Sequence, residues 1–161
     1  MVLDRLLAVH SDAVLSTHAQ HGDATALVDP GKLLAVLEFL RDDDASRFEL
    51  LVDLCAVDYA AREPRFEVVY HLYSVSLNHR LRIKAGVAES SCEIASACSL
   101  WPAANWLERE VWDLYGIRFI GHPDLRRLLL DESFEGHPLR KDFPKRGRDA
   151  GGTADGGAAG D

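Results

Sequence analysis

Three strand-forming runs joined by short polar turns constrain the fold of this chain most. They cover residues 48–59, 66–74 and 81–85. Short connections of this kind join neighbouring antiparallel strands, so the runs predict a sheet. In the first run both alternating phases are largely apolar, which predicts a central strand buried on both faces. In the last run apolar residues alternate with Arg80, Arg82 and Lys84, which predicts an edge strand whose basic face lies in solvent.

The residues before these runs predict two helices and a hairpin. Apolar spacing predicts a short helix over residues 3–9, and two β-prone runs at 13–17 and 24–28 predict a hairpin. Asp29 and Pro30 are typical of a helix start, with Asp as the N-cap and Pro at the first helical position. The resulting order of helix, two strands, helix and three strands predicts an α+β fold. We expect a two-layer α/β sandwich, with a mixed sheet, over residues 1–88.

Composition and charge exclude several classes of function. The chain has 161 residues and a formal charge of −8, which argues against a general nucleic-acid surface, because such a surface needs a basic face. No apolar run is long enough for a signal peptide or a membrane span. Cys55, Cys92 and Cys98 form no C-x-x-C pair, so they predict reduced, packed thiols rather than a zinc or iron–sulfur site. We therefore expect a cytoplasmic protein, and docking onto a membrane complex stays possible.

Residues 101–144 are unusually rich in Trp, charged residues and turn formers. A helix is predicted over residues 102–115, followed by Gly116 in the usual position after a helix end. The apolar side of the helix carries Leu107, Val111, Leu114 and Tyr115. The opposite side carries Trp106, Arg109, Glu110 and Asp113. Because interfaces are enriched in Trp and Arg, we predict that the second side binds a partner. The alternative is a solvated helix face with weak ion pairs.

The segment after this helix, residues 121–144, contains two Gly-His-Pro triplets and is called the docking segment below. Each triplet predicts a turn that fixes the direction of its histidine ring. One interpretation makes His122, Asp124, His137 and Asp142 ligands of a hydrolytic metal, but their spacing fits no H-x-x-x-H or H-E-x-x-H motif. The other interpretation is that the two imidazoles bind loop carbonyl groups. The basic pairs Arg126–Arg127 and Arg140–Lys141 accompany no phosphate loop, so partner carboxylates are their predicted targets.

Two stretches of this region carry a family resemblance. The first reads Glu108-Arg109-Glu110-x-Trp112-Asp113-x-x-Gly116-Ile117-x-Phe119-x-Gly121-His122-Pro123-Asp124-Leu125-Arg126-Arg127. The second reads Gly136-His137-Pro138-Leu139-Arg140-Lys141-Asp142-Phe143-Pro144. Together they resemble the signature of the 30 kDa subunit family of respiratory complex I, the proton-pumping NADH:quinone oxidoreductase, in which it is the C-type subunit. The order of the upstream elements is also similar to that family's fold.

The resemblance implies a subunit without a catalytic centre, cofactor or metal of its own. It would lie in the peripheral arm on the cytoplasmic side of the cell (inner) membrane, against the quinone-reducing 49 kDa protein, the D-type subunit, and neighbouring iron–sulfur subunits. The complex would pass electrons from NADH to a quinone such as ubiquinone and couple this transfer to proton translocation. FMN, the iron–sulfur clusters and the quinone would belong to other subunits.

The resemblance also implies which residues serve the interface or shape the signature. These are Trp106, Glu108, Arg109, Glu110, Asp113, Gly121, His122, Pro123, Asp124, Arg126, Arg127, Gly136, His137, Pro138, Arg140, Lys141 and Asp142. Residues 89–144 would form one structural unit with the sandwich domain. Residues 145–161, rich in Gly, Ala and Asp, are predicted to be disordered.

Two other functions stay open at this point. One is a homologous subunit of a membrane-bound hydrogenase-type complex, which the same motif would fit. The other belongs to a different class, a stand-alone metal hydrolase that uses His122 and His137.

Overall fold

The computed structural model describes residues 2–144. In chain order, its helices and strands are α1 Val2–His10, β1 Val14–His18, β2 Thr25–Val28, α2 Leu33–Asp42, β3 Leu50–Asp58, β4 Phe66–Ser74, β5 His79–Val87, β6 Glu93–Ala95, α3 Ala104–Tyr115 and β7 Arg118–Ile120. The predicted α+β class and the order of the first seven elements are confirmed. The predicted disorder of residues 145–161 concerns residues outside this range. None of the described helices combines the length and the apolar character needed to cross a bilayer.

The predicted start of the second helix is correct in kind but lies a turn early. Asp29 Oδ1 accepts a hydrogen bond from the Gly31 N–H at 2.8 Å. This contact caps a single 3-10 turn over Pro30–Lys32, and α2 begins directly after it, at Leu33. The cap signal in the sequence therefore marks the start of the helical segment rather than the first α-helical residue.

The strand order of the main sheet, β1-β2-β5-β4-β3, corrects two predictions. The run predicted as a central strand, β3, lies at the edge of the sheet. The run predicted as an edge strand, β5, lies in the middle, because it pairs parallel with β2 as well as antiparallel with β4. Alternation reports that one face of a strand is polar, and it does so equally for central and edge strands. The pairing that places β5 centrally joins segments far apart in sequence.

The two faces of the sheet have different chemistry. Leu54, Tyr70 and Ile83 are opposite one another on three neighbouring strands, and all are buried. They belong to one core cluster that includes apolar residues of α1 and α2, such as Leu6 and Leu37. The cross-strand neighbours one position further along the strands point their side chains to the opposite face of the sheet, and this face is largely polar. The basic residues of β5 therefore lie on a polar face, as predicted, although the strand is central.

Helix α3 packs along the edge strand β3, and this contact positions the signature residues. Before the helix, Trp101 is buried in the main core and its Nε1–H donates to the Phe48 carbonyl at 3.1 Å. Residues 90–99 contain β6, which pairs parallel with β7 in a two-stranded sheet that the sequence analysis does not predict. Three-residue strands are too short to show a clear alternation.

Tyr70 presents an unusual buried hydroxyl group. Its side chain is fully buried in the core, and within residues 2–144 its hydroxyl oxygen has no hydrogen-bond partner. A buried polar atom without a partner costs about 1–3 kcal/mol of desolvation free energy.

We therefore expect Tyr70→Phe to raise the free energy of unfolding by about 1 kcal/mol, because it removes the unpaired hydroxyl and keeps the ring. Urea denaturation of the purified chain measures this change. The matched control is Tyr73→Phe, since the Tyr73 hydroxyl donates to Asn78 Oδ1 at 2.8 Å on an exposed turn. A loss of stability in Tyr70→Phe would show that the hydroxyl is satisfied by an internal water.

Candidate docking surface

Helix α3 ends at a glycine that two independent constraints require. Gly116 has a φ of 77°, in the left-handed region, and its N–H donates to the Trp112 carbonyl at 2.8 Å. A Cβ atom at this position would also lie 2.5 Å from the imidazole Cδ2 of His137. The ring of the second Gly-His-Pro turn therefore packs directly on the C-terminus of α3.

A single buried carboxylate on α3 organises the chain that follows. Asp113 is fully buried, and its Oδ2 accepts hydrogen bonds from the backbone N–H groups of Leu128, Leu129 and Leu130 at 3.1, 2.8 and 2.9 Å. Its Oδ1 accepts from Arg127 Nη1 at 2.6 Å. Three successive N–H groups around one oxygen form an anion-binding nest, here filled by a side chain of the same protein. Asp113 thus fixes the first half of the docking segment.

The electrostatics of Asp113 favour its ionised form. Burial alone raises the pKa of this carboxyl, but the hydrogen bonds from the Leu130 N–H and from Arg127 outweigh burial, so the pKa is lowered overall. Arg127 is fixed in turn, because its Nη2 donates to the Phe134 carbonyl at 2.6 Å. The carboxylate and the guanidinium together connect α3 to two separate parts of the docking segment.

Arg109 binds within its own chain. Its Nε donates to the Arg126 carbonyl at 3.1 Å, its Nη2 donates to the Arg127 carbonyl at 2.9 Å, and the side chain is buried. The helical wheel predicted that this face of α3 binds another protein. In the structure the docking segment of the same chain covers Arg109 and Asp113, whereas Trp106 and Glu110 of the same face stay exposed.

Glu108 is likewise bound within its own chain. It is fully buried, its Oε1 accepts from the Ala97 N–H at 2.6 Å, and its Oε2 accepts from the Ser96 hydroxyl at 2.6 Å. Burial is the largest influence and raises the pKa of the Glu108 carboxyl, although both hydrogen bonds favour the ionised form. Glu108 therefore connects α3 to β6 and the residues that follow it.

Both histidines of the Gly-His-Pro turns contact backbone carbonyls, as the second interpretation expects, but these carbonyls lie on α3 rather than in a loop. The His122 Nε2 lies 3.1 Å from the Asn105 carbonyl, and its Nδ1 accepts from the Asp124 N–H at 3.0 Å. The His137 Nδ1 lies 2.9 Å from the Asp113 carbonyl. Within residues 2–144, no group of three potential metal ligands contains both histidines. The hydrolase interpretation therefore lacks the ligand set that it needs.

The second half of the docking segment is held by a charge cluster that sequence reasoning missed. Arg65 is buried and donates to Asp58 at 2.8 and 3.0 Å, to Asp142 at 2.8 and 3.2 Å and to Glu89 at 2.6 Å. The Asp58 carboxylate also accepts from the Lys141 N–H at 2.8 Å. Hydrogen bonding to Arg65 is the main reason that the pKa of Asp58 lies well below its usual range. The sequence signal that could have predicted this cluster is the pair of opposite charges Asp58 and Arg65, which border the turn between the apolar strands β3 and β4.

The remaining basic residues differ in exposure. Arg140 donates from Nε to the Tyr115 carbonyl at 2.6 Å, so it caps the C-terminus of α3. Arg126 is exposed and pairs only locally, with Asp124 at 2.8 Å. The side chain of Lys141 is exposed. The two basic pairs are thus split between structural and surface roles.

The surface left for a partner is smaller and more apolar than predicted. Trp106 is 60% exposed and stacks on the Arg109 guanidinium, whose carbon lies 5.0 Å from the ring centroid. Leu129 and Leu139 of the docking segment are 60% and 47% exposed, and Glu110 is exposed beside Trp106 on α3. Interface roles for Trp106 and Glu110 stay predictions. The buried polar network beneath them holds their backbone in place.

Comparison with known proteins gives consistent relatives. Residues 26–149 match the family model described as respiratory-chain NADH dehydrogenase, 30 Kd subunit. The C-type subunit of NADH-quinone oxidoreductase from Xanthobacter autotrophicus is 54% identical over 140 residues, which are 87% of this chain and 66% of that protein. Its counterpart from Roseiflexus sp. is 50% identical over 143 residues, which are 89% of this chain and 82% of that protein. The chain thus spans slightly less than two thirds of the Xanthobacter relative.

Two solved structures have a similar fold. A trypsin-resistant fragment of Nqo5 aligns with a TM-score of 0.65 at 31% identity, and the alignment covers 78% of this chain and all of the fragment. A chain of the membrane-bound sulfane sulfur reductase, an archaeal respiratory membrane complex, aligns with a TM-score of 0.77 at 23% identity, over 89% of this chain and 84% of that chain. At 23% identity the second likeness concerns the fold alone.

We expect Asp113→Asn to lower the free energy of unfolding by about 3 kcal/mol, because the amide keeps the shape but leaves the half-buried Arg127 without the counter-charge of the fully buried Asp113. Urea denaturation measures this loss, and trypsin should cleave the docking segment faster. Asp124→Asn is the control: its pair with Arg126 is exposed, so its effect should stay within about 0.5 kcal/mol. Equal effects of the two variants would contradict the role given to Asp113.

Glu108 predicts a pH dependence of stability with a definite sign. Because the pKa of Glu108 is raised in the folded state, the fold favours the neutral carboxyl. The stabilisation that the neutral carboxyl gives is fully present below the unfolded-state pKa of about 4.3, and it is lost as the pH rises through the folded-state pKa. Glu108→Gln keeps a neutral group of the same shape.

We therefore expect the stability of Glu108→Gln, relative to the parent chain, to rise from about pH 4 upward until the pH passes the folded-state pKa of Glu108, and then to stay constant. Thermal unfolding at a series of pH values measures this difference. The stability of Glu110→Gln, an exposed change on the same helix, should change with pH in the same way as that of the parent. A difference between Glu108→Gln and the parent that is constant from about pH 4 upward would mean that the pKa of Glu108 is not raised in the fold.

Proposed function

Because this chain belongs to the family of the respiratory-chain NADH dehydrogenase 30 kDa subunit, we propose that it is a non-catalytic structural subunit of a proton-translocating NADH:quinone oxidoreductase. The observation that carries the proposal is the family match over residues 26–149, which includes α3 and all of the docking segment. In this role the chain would contribute to electron transfer from NADH to quinone only as part of the assembled complex.

The contacts within the signature residues support a scaffold role. The carboxylates of Glu108 and Asp113 and the guanidiniums of Arg109 and Arg127 direct their hydrogen bonds to this chain's own backbone and side chains. Charged groups that bind within their own chain stabilise the backbone conformation beneath a surface. We therefore assign the signature to preorganisation of a docking surface, since a surface that is already ordered loses less conformational entropy when a partner binds.

We further propose the quinone-reducing 49 kDa protein, the D-type subunit, as the partner of this surface, with iron–sulfur subunits as neighbours. FMN, the iron–sulfur clusters and the quinone would be held by those other subunits. The complex would place this chain peripherally on the cytoplasmic side of the cell (inner) membrane. Trp106 is the expected centre of the contact, because a large exposed indole that rests on a fixed guanidinium is typical of an interface anchor.

A subunit of a hydrogenase-type membrane complex is the weaker alternative. The relatives at 50–54% identity are named as C-type subunits of NADH-quinone oxidoreductase. The archaeal sulfane sulfur reductase supports only a shared fold, which complexes of different chemistry can have in common. Genes for NADH-binding and quinone-reducing subunits beside the gene for this chain would favour the first assignment, and hydrogenase maturation genes would favour the second.

We expect Trp106→Ala to weaken binding to the quinone-reducing subunit from the same genome by at least ~30-fold, because interface anchors of this kind contribute about 2 kcal/mol or more. Titration of one purified protein with the other measures this affinity. The matched control is Leu15→Ala on β1, which removes a side chain that is similarly exposed, at 62% against 60%.

Both variants should unfold within about 0.5 kcal/mol of the parent, because they change exposed side chains. In the native cell, Trp106→Ala should lower the amount of assembled complex and the NADH:quinone activity of membranes. Full affinity and full activity in Trp106→Ala would contradict the proposed docking surface, whereas equal losses in both variants would argue against Trp106 as its centre.

A further inference from the structure

Three side chains on the polar face of the sheet bring together the chemistry of a metal site. Asp53 on β3 is directly opposite His71 on β4, and Cys55 lies two residues further along β3, so all three point to the same face. One potential ligand atom from each residue lies within 4.8 Å of the other two. The cluster is remote in sequence from the docking segment and does not depend on the proposed function.

These three side chains are not occupied by other polar contacts. Within residues 2–144, none of them makes a hydrogen bond or an ion pair. Their potential ligand atoms are therefore free to bind an ion without breaking a contact within the protein. The thiol and the imidazole are only partly exposed, and the carboxylate is exposed, which leaves one open side for an ion to enter.

A second group of potential metal ligands differs from the first because its polar atoms already form hydrogen bonds. Cys98, Glu108 and His122 also lie within 4.8 Å of one another, but their donors and acceptors are already used. Both oxygens of Glu108 accept hydrogen bonds at 2.6 Å, and both ring nitrogens of His122 contact backbone groups. A metal there would have to break these contacts, whereas a metal at the first cluster would break none.

We propose that Asp53, Cys55 and His71 bind one Zn²⁺ ion, with a water molecule in the fourth position of the isolated chain. Thiolate, imidazole and carboxylate are the ligands that zinc takes in proteins, and one thiolate with one carboxylate balances its charge. Zinc bonds of about 2.0–2.3 Å place tetrahedral ligand atoms about 3.3–3.8 Å apart. Small rotamer changes close the remaining gap. Binding releases the thiol proton of Cys55 to solvent.

Neighbouring charges on this face are compatible with a cation. Arg82 follows His71 in the same cross-strand row, and Lys84 lies two residues further along β5. Lys84 donates to Glu67 at 2.9 Å, and Arg82 lies 3.6 Å from an Asp23 carboxylate oxygen. Arg82 and Lys84 are thus each paired with a carboxylate, and Glu67 is shared between Lys84 and Arg62. The site would tie β3 to β4 beside the irregular pairing between Leu51 and Asp53, at the edge of the sheet.

The test uses the full chain, freed of metal with a chelator and titrated with Zn²⁺ or Co²⁺ alone. We expect one equivalent to bind, with a thiolate-to-cobalt charge-transfer band, and Zn²⁺ to raise the melting temperature and protect Cys55 from alkylation. Cys55→Ser should remove the band, and His71→Asn should weaken binding at least ~10-fold, because each removes a ligand.

Cys98→Ser is the matched control and should keep both the charge-transfer band and the affinity, because the polar atoms of the second cluster already form hydrogen bonds and do not bind the metal. Circular dichroism of each variant without metal checks that it is folded. The absence of stoichiometric binding in the folded parent chain would overturn the proposal. So would loss of the band in Cys98→Ser with its retention in Cys55→Ser. Neither result bears on assembly with the quinone-reducing subunit, which is measured separately.

Discussion

The carboxylate of Asp113 is the interaction on which the signature region depends. It lies in a fully buried position and is bound by three consecutive backbone N–H groups and one guanidinium. A buried charge without such partners would destabilise the fold, and the chain after residue 127 has no apolar alternation that would order it as a strand or helix. The carboxylate and the docking segment therefore need each other. Arg65 repeats this arrangement with opposite sign at the end of the segment, where it binds Asp58 and Asp142.

This dependence explains why a chain with so many charged signature residues can serve as a scaffold. Three of these charged residues, Glu108, Arg109 and Asp113, are buried and define the path of the backbone, whereas others such as Glu110 and Arg126 are exposed. The side chains that remain outside, above all Trp106, are consequently displayed on a rigid support. Such a division between buried ionic contacts and exposed apolar anchors suits a subunit that must be ordered before it meets its partners. It also assigns the two Gly-His-Pro turns a mechanical role, since their imidazoles bind carbonyl groups of α3 and its neighbours.

Local sequence signals predicted the elements well and their arrangement poorly. The cap at Asp29, the strand periods and Gly116 act through neighbouring residues, so they could be interpreted directly. The position of β5 depends on pairing with β2, some 57 residues earlier in the pair Thr25 and Arg82, which no local pattern reports. For a related reason, the helical wheel of α3 could not show which polar residues the same chain covers. It correctly separated polar from apolar residues, but a polar face can be covered by the same chain as well as by a partner.

Asp113 orders the docking segment within the isolated chain, before any partner binds. Amide hydrogen exchange at Leu128, Leu129 and Leu130 in the purified full chain tests this ordering. We expect these three amides to exchange as slowly as amides in the middle of α3, because their hydrogen bonds to the carboxylate open only when the helix region unfolds. Exchange at the rate of an unstructured peptide, with α3 still protected, would contradict it.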